Sequence, residues 1–257
     1  MDDALATLSR FERFAFRTMR WLQTWPPATF WQRFVLIPFV ALFVSRRLTT
    51  LGLERVPRTP DARILLVANH RTFFDLFVLG FSLWRRAGLK QRLNFPVRAN
   101  FFYENPAGLL ICMFLSGGTM FPPFFRSAEK KSFNKLSLGV LIDLLRQPGQ
   151  LVGFHPEGKR NKSDDPYTLL PAQPGAGELA LKARPVVVPA FITGMSNSVW
   201  KELFSSRRVI AIFGEPIELP EIEGETRLAH HKRLADSFNE RILALADEER
   251  AARAAAK

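Results

Sequence analysis

The sequence predicts an α/β fold: a mixed, largely parallel sheet covered by helices, preceded by an N-terminal pair of membrane-associated helices. Three observations carry this expectation. From residue 61 onward, short β-branched or aliphatic runs alternate with longer helical patterns. The first 57 residues instead interleave arginines with aromatic and aliphatic residues at near-helical spacing. A chain of 257 residues, 47% hydrophobic and 23% charged, can bury one large core but is too short for two ordinary domains. Residues 1–57 are therefore read as anchoring helices and 58–257 as the main domain.

In the N-terminal segment, Phe11, Phe14, Ala15, Met19, Trp21 and Leu22 alternate with Arg10, Arg13, Arg17 and Arg20, the pattern of a basic amphipathic helix. Pro26 and Pro27 break it, and Trp31 introduces an uncharged run of 11 residues, Phe34 to Val44. A transmembrane helix needs about 20 apolar residues, so this run predicts a helix embedded in one leaflet, with Trp25, Trp31 and the arginines at the headgroups. The alternative is that both helices cover the core of the domain. No signal-peptide cleavage pattern follows the acidic MDD start, so the segment is expected to stay attached.

Strands are expected at Arg63 to Ala68, Phe95 to Arg98, Gln150 to Phe154, Pro185 to Phe191 and Arg208 to Phe213. Helices are expected at Phe73 to Arg86, Pro106 to Leu115, Glu129 to Leu145, Ala176 to Lys182 and Thr226 to Ala246. The final EERAARAAAK should fray.

A balance of 36 Lys and Arg against 24 Asp and Glu gives +12, a surface that attracts nucleic acid, phosphorylated metabolites or an acidic bilayer. No recognised RNA or DNA module accompanies the charge, and a nucleic-acid partner is not expected. Phe numbers 24 and Trp 5 against 2 Tyr, an aromatic load biased away from hydroxyls and toward lipid. The single Cys112, in an apolar run, excludes a disulfide framework, fits a reducing compartment and reads as a buried inert thiol. The four histidines and one thiol show no zinc spacing, so neither metal nor resident cofactor is expected.

The strand RILLVA runs into NHRTFFD, placing His70 and Asp75 where a buried strand becomes a helix, the position at which open α/β sheets hold ligands. Five residues on one helix would point the two apart by about 140° beyond a full turn, so His70 must precede the helix. With Thr72 as N-cap, Asp75 falls in the first turn and can accept from the imidazole, leaving the other ring nitrogen to take a proton from an attacking hydroxyl. The competing structural reading is a Thr72–Asp75 capping box with His70 bonded to a nearby carbonyl. A second constellation, FHPEGKRN, follows the strand QLVGF: Gly158 permits an unusual backbone angle, and Lys159 and Arg160 present charge to an anion. As an isolated motif it equally fits a turn with solvated charges.

Together, NHRTFFD and FHPEGKRN resemble the first and third blocks of the glycerophospholipid acyltransferase family, which includes bacterial 1-acylglycerol-3-phosphate acyltransferases. The resemblance runs from about residue 61 to 195; Val188 to Phe191 resemble the family's fourth block, and Gly175 the glycine opening the helix before it. It implies His70 as general base, Asp75 as its orienting partner, and Glu157, Gly158 and Arg160 at the acceptor site. In the second block the family's arginine is displaced by Pro122 and Pro123, making Arg126 the first candidate ligand for the acceptor phosphate and Arg98 the second. His155 stands where the family has an apolar or aromatic residue and reads as a spacer.

The implied activity is transfer of a fatty acyl group from acyl-CoA or acyl carrier protein to the free hydroxyl of a lysophospholipid, first of all 1-acylglycerol-3-phosphate, giving phosphatidic acid without an acyl-enzyme. The thioester is a co-substrate, and membrane lipids are the partner. The expected location is the cytoplasmic face of a membrane, peripheral or monotopic. Two rivals stand beside this: an acyltransferase for another acceptor such as a lyso-aminolipid, and a non-enzymatic peripheral lipid-binding protein.

Overall fold

The strand Ile64–Ala68 is apolar at every position and buried on both faces, the pattern of a central parallel strand. In a computed structural model, which describes residues 2–196, 198, 201, 205–221, 224 and 227–255, it lies in the middle of a six-stranded sheet. In chain order the sheet's strands are β1 (Leu48–Leu51), β2 (Ile64–Ala68), β3 (Arg92–Asn94), β6 (Gln150–Phe154), β7 (Val186–Thr193) and β8 (Val209–Phe213); a separate parallel pair is formed by β4 (Val97–Arg98) and β5 (Pro123–Phe124). The spatial order is β1-β8-β7-β2-β6-β3, parallel throughout except for the β7–β8 pair. This is the mixed, largely parallel α/β sheet expected.

The helices are α1 (Asp2–Ala6), α2 (Arg10–Thr24), α3 (Pro27–Trp31), α4 (Ile37–Val44), α5 (Asp75–Phe81), α6 (Ala99–Phe102), α7 (Pro106–Ser116), α8 (Lys131–Leu145), α9 (Pro174–Ala183) and α10 (Leu228–Ala255). They enclose two apolar cores. One lies against α2, α4, α5 and α7, and the other is filled from α8, α9 and α10.

Four expectations need correction. The run Phe95 to Arg98 is not one strand: Pro96 has no N–H to give a ladder, Phe95 donates to the Thr119 carbonyl and Val97 to that of Pro122, so β3 ends at the sheet edge and β4 turns off with β5. Leu48–Leu51, inside the segment read as an anchor, is an edge strand of the main sheet, pairing with β8. The charged tail is helical to Ala255, because fully buried Glu249 accepts from Thr193, Tyr167 and Arg253; Ala256 and Lys257, like Thr226 at the expected helix start, lie outside the described residues.

The fourth concerns length. The apolar N-terminal helix exceeds the 11-residue run: α3 continues through a π-helical turn at Gln32–Leu36 into α4, giving 18 residues, Pro27–Val44, long and apolar enough by length and composition to cross a membrane. The wide turn, closed by the Ile37 N–H on the Gln32 carbonyl, lies just before Pro38, which has no N–H to continue the α-helical ladder. This helix is fastened to the domain midway: the buried Gln32 amide donates to the Leu93 carbonyl and to Thr119 Oγ1, both at 2.7 Å, and Arg33 donates to the Lys90 carbonyl. On α2, Ser9 and Glu12 form a reciprocal capping box, and Glu12 also pairs with Lys130. Phe16 of that helix packs at 5.1 Å from Phe121 and 5.2 Å from Phe133. Both N-terminal helices thus cover the core on one side, while Phe14, Trp21, Trp25, Phe30, Phe34 and Leu42 remain exposed.

Candidate active site

Strands β2 and β6 are paired in register, with Val67 opposite Phe154, so the loops leaving them start side by side. His70 stands two residues beyond β2, and Asp75 is the first residue of α5. The Asp75 carboxylate is buried and accepts four hydrogen bonds. Its Oδ2 takes His70 Nδ1 at 3.2 Å, the Arg71 N–H at 2.7 Å and the Thr72 N–H at 2.8 Å, and its Oδ1 takes Thr72 Oγ1 at 2.6 Å. Burial alone would raise its pKa; the hydrogen bond and charge of His70, with help from His155 and Thr72, outweigh that and hold it below the usual carboxylate value. An ionised Asp75 therefore fixes His70 with its proton on Nδ1, leaving Nε2 able to accept a proton. The capping geometry differs in detail from expectation. Thr72 Oγ1 accepts from the Phe74 N–H, one residue before the helix, rather than from the first turn.

Glu157 is only 1% exposed, and its two oxygens are taken by backbone: Oε1 by the His70 N–H and Oε2 by the Leu170 N–H, each at 2.7 Å. From there it braces the His70 loop against the 157–170 segment from within. Burial raises its pKa against those two hydrogen bonds. The brace is reinforced by the Asn161 N–H on the His70 carbonyl at 2.7 Å and by the Arg71 guanidinium on the carbonyls of Ser163 and Asp165. Gly158 has φ +66°, and a Cβ there would stand 2.9 Å from the Gln173 side chain, so the turn needs glycine. Arg160 and Lys159 are exposed beyond it.

The residue missed is His155. Its ring lies flat on that of His70, with centroids 3.8 Å apart and planes within 6°, and its Nδ1 donates to the Ala68 carbonyl at 2.9 Å. Burial first, then the neighbouring His70, pushes its pKa down to about 3, so the ring is neutral. The only signal in the sequence was its place directly after a strand, and that meant nothing until β6 was known to neighbour β2.

His70, Asp75 and His155 together offer metal-ligand atoms within 4.8 Å of one another. The donor set does not fit an ion. An ion in the plane of one stacked ring lies outside the plane of the other, His155 Nδ1 carries the proton given to Ala68, and Asp75 is already saturated with hydrogen bonds.

Arg98 and Arg126 lie in or just beyond the separate β4–β5 pair. Arg98 is opposite Phe124 in the β4–β5 pair, and Arg126 follows two residues later; both are exposed, and neither has an acidic partner among the described residues. Cys112 is buried and its thiol pKa is pushed up by that burial, as expected of an inert thiol. Beside Phe74 a small apolar cavity of about 30 Å³ is lined by Phe39, Val40 and Phe43 from α4 and Phe74, Phe77 and Val78 at α5.

A family model described as Acyltransferase matches residues 47–193, more than half the chain, and spans β1, the His70 loop, the Glu157 turn and β7. The chain belongs to the acyltransferase family. The fold of this acyltransferase is similar to the crystal structure of the 1-acyl-sn-glycerophosphate (LPA) acyltransferase PlsC from Thermotoga maritima. The TM-score is 0.56 and the identity 17%, over 87% of this chain and 80% of that one. No curated protein matches the chain. Family membership makes the protein an enzyme and removes the non-enzymatic reading.

Proposed function

We propose that this acyltransferase moves a fatty acyl group from acyl-CoA or acyl carrier protein to the free hydroxyl of a lysophospholipid, with 1-acylglycerol-3-phosphate the favoured acceptor and phosphatidic acid the product. The observation that carries the reading is the His70–Asp75 pair: a buried, hydrogen-bond-saturated carboxylate fixes one imidazole tautomer just beyond the C-terminal end of a central strand. His70 Nε2 takes the proton of the acceptor hydroxyl as its oxygen attacks the thioester carbonyl. Collapse of the tetrahedral intermediate breaks the C–S bond, and the imidazolium returns the proton to the departing thiolate, leaving the ester and a free thiol. Asp75 offsets the transient charge on the ring. Arg126 and Arg98 are the proposed ligands of the acceptor phosphate, with Arg160 and Lys159 as further cations on the far side of the Gly158 turn. The apolar lining shared by α4 and α5 beside Phe74 supports an acyl-chain site there.

The same reading places the enzyme on the cytoplasmic face of a membrane without spanning it. Its support is the exposed ring surface: Trp21 stacks on Trp25 at 5.1 Å, Phe30 lies 4.5 Å from Phe34, and Trp31 meets Phe114 of α7 at 5.7 Å beside exposed Leu110 and Ile111. From exposed Phe101 the contacts run inward through Phe102 to Phe73 in the His70 loop.

The test is transfer of labelled acyl groups, from acyl-CoA and separately from acyl carrier protein, to a panel of lysophospholipids in matched micelles, with wild type against His70→Ala. Transfer to lysophosphatidic acid that disappears in the variant is expected. Transfer to a different lyso-lipid would reassign the acceptor, the rival that the displaced arginine of the second block keeps open, and undiminished transfer by His70→Ala would overturn the mechanism.

A further inference from the structure

The geometry of His155 carries one step beyond the reaction, resting on the reading of His70 as base. The hydrogen bond between His70 Nδ1 and Asp75, at 3.2 Å, fixes the direction of one ring nitrogen but leaves the ring able to twist about that line. His70 is also 22% exposed, so part of its ring faces open space and not packed side chains. What faces the flat of the ring is His155, parallel within 6° and 3.8 Å away. His155 is itself held from a different element: it follows β6 directly, and its Nδ1–H is given to the carbonyl that ends β2. Two neighbouring strands therefore fix the plane of one ring, and that ring fixes the plane of the other.

We propose that His155 is a positioning residue for His70, a hydrogen-bonded aromatic platform that keeps the catalytic imidazole in the plane where Nδ1 meets Asp75 and Nε2 faces the acceptor hydroxyl. The platform has to be uncharged, because His70 becomes an imidazolium during turnover and a second cation in van der Waals contact would oppose it. Burial and the adjacent His70 keep His155 neutral. The same features exclude it as a second base: its Nδ1 proton is committed to Ala68, and a ring so hard to protonate accepts a proton poorly.

Three substitutions separate platform from hydrogen bond and from filler. His155→Ala removes both ring and donor, His155→Gln keeps a donor for Ala68 without a ring, and His155→Phe keeps the ring without the donor. Expected are kcat losses of about tenfold or more for Ala and Gln, with acceptor KM within about twofold, and recovery of most of that loss by Phe. Imidazole ¹⁵N NMR of the full chain in micelles gives a readout independent of turnover. His70 should keep the tautomer protonated at Nδ1 in every variant, because Asp75 is unchanged, while its ring resonances should be sharp in wild type and His155→Phe and exchange-broadened in His155→Ala. Activity in Gln equal to wild type with Phe as poor as Ala, three near-wild-type variants, or an unchanged His70 spectrum in His155→Ala would each overturn the proposal. If wild type acylates no lysophospholipid, the acyl-transfer reading fails, and the NMR arm alone still decides whether His155 positions His70.

Discussion

At the scale of single residues the site works by committing each polar atom once. Asp75 has four donors on its carboxylate, so its job is to hold one tautomer of His70. Asp75→Asn should leave the fold intact yet lower kcat by about 10³ to 10⁴, since the amide no longer enforces a proton on Nδ1. Glu157→Gln sets an amide N–H₂ against a backbone N–H of His70 or Leu170, costing about 1–3 kcal/mol; the expected result is a lower melting temperature and a fall in kcat with little change in KM. His155 predicts a pH effect of definite sign. A histidine held from its ordinary 6.5 down to about 3 contributes stability that is present above 6.5 and is lost as pH falls toward 3, at a slope of at most about 1.4 kcal/mol per pH unit. Thermal melts between pH 6.5 and 4.5 should therefore decline less steeply in His155→Phe than in wild type. His70 and Asp75 were legible in the sequence because five-residue spacing across a strand–helix junction restricts where they point. The roles of His155 and Glu157 were not, because each acts through a backbone group 87 positions away.

At the scale of elements, loops and prolines decide what periodicity does not. The helix containing Phe34 to Val44 starts at Pro27 because proline is tolerated in a first turn, and it continues past Pro38 because a π-helical turn absorbs the missing donor. Amphipathicity was legible in α2, yet its apolar stripe serves the domain core while the rings beyond its C-terminal half face outward. The joint between α2 and the end of α7 is Gly118, at φ +103°, where a Cβ would stand 2.6 Å from Leu22 Cβ and 2.7 Å from the Gln23 backbone nitrogen. Gly118→Ala should destabilise the protein by more than about 1 kcal/mol, seen as a lower denaturation midpoint and faster proteolysis at the α2–α3 turn.

At the scale of the whole molecule, charge and aromatic surface act together. The exposed rings of α2, α3 and α7 lie on a chain of net charge +12. Replacing Trp25, Phe30 and Phe34 together by Ser should weaken binding to anionic vesicles at least tenfold by sedimentation, by removing ring area worth about 25 cal/mol per Å², while the folded domain keeps its melting temperature. A triple variant that sediments with vesicles like wild type would remove the membrane reading of this surface. A salt-dependent remainder of binding is expected from the arginines, because Coulomb attraction to headgroups is screened and apolar insertion is not.

The sequence by itself determined the α/β class, the two loop motifs and the placement of His70 and Asp75 at one strand–helix junction, since alternation, turn residues and short-range spacing are local properties of a chain. Only the tertiary structure decided that Leu48–Leu51 joins the sheet, that Glu157 is a brace, and that His155 lies against His70. These follow from which strands are neighbours, and strand order is set by burying every apolar face at once, a condition that no local stretch of sequence states.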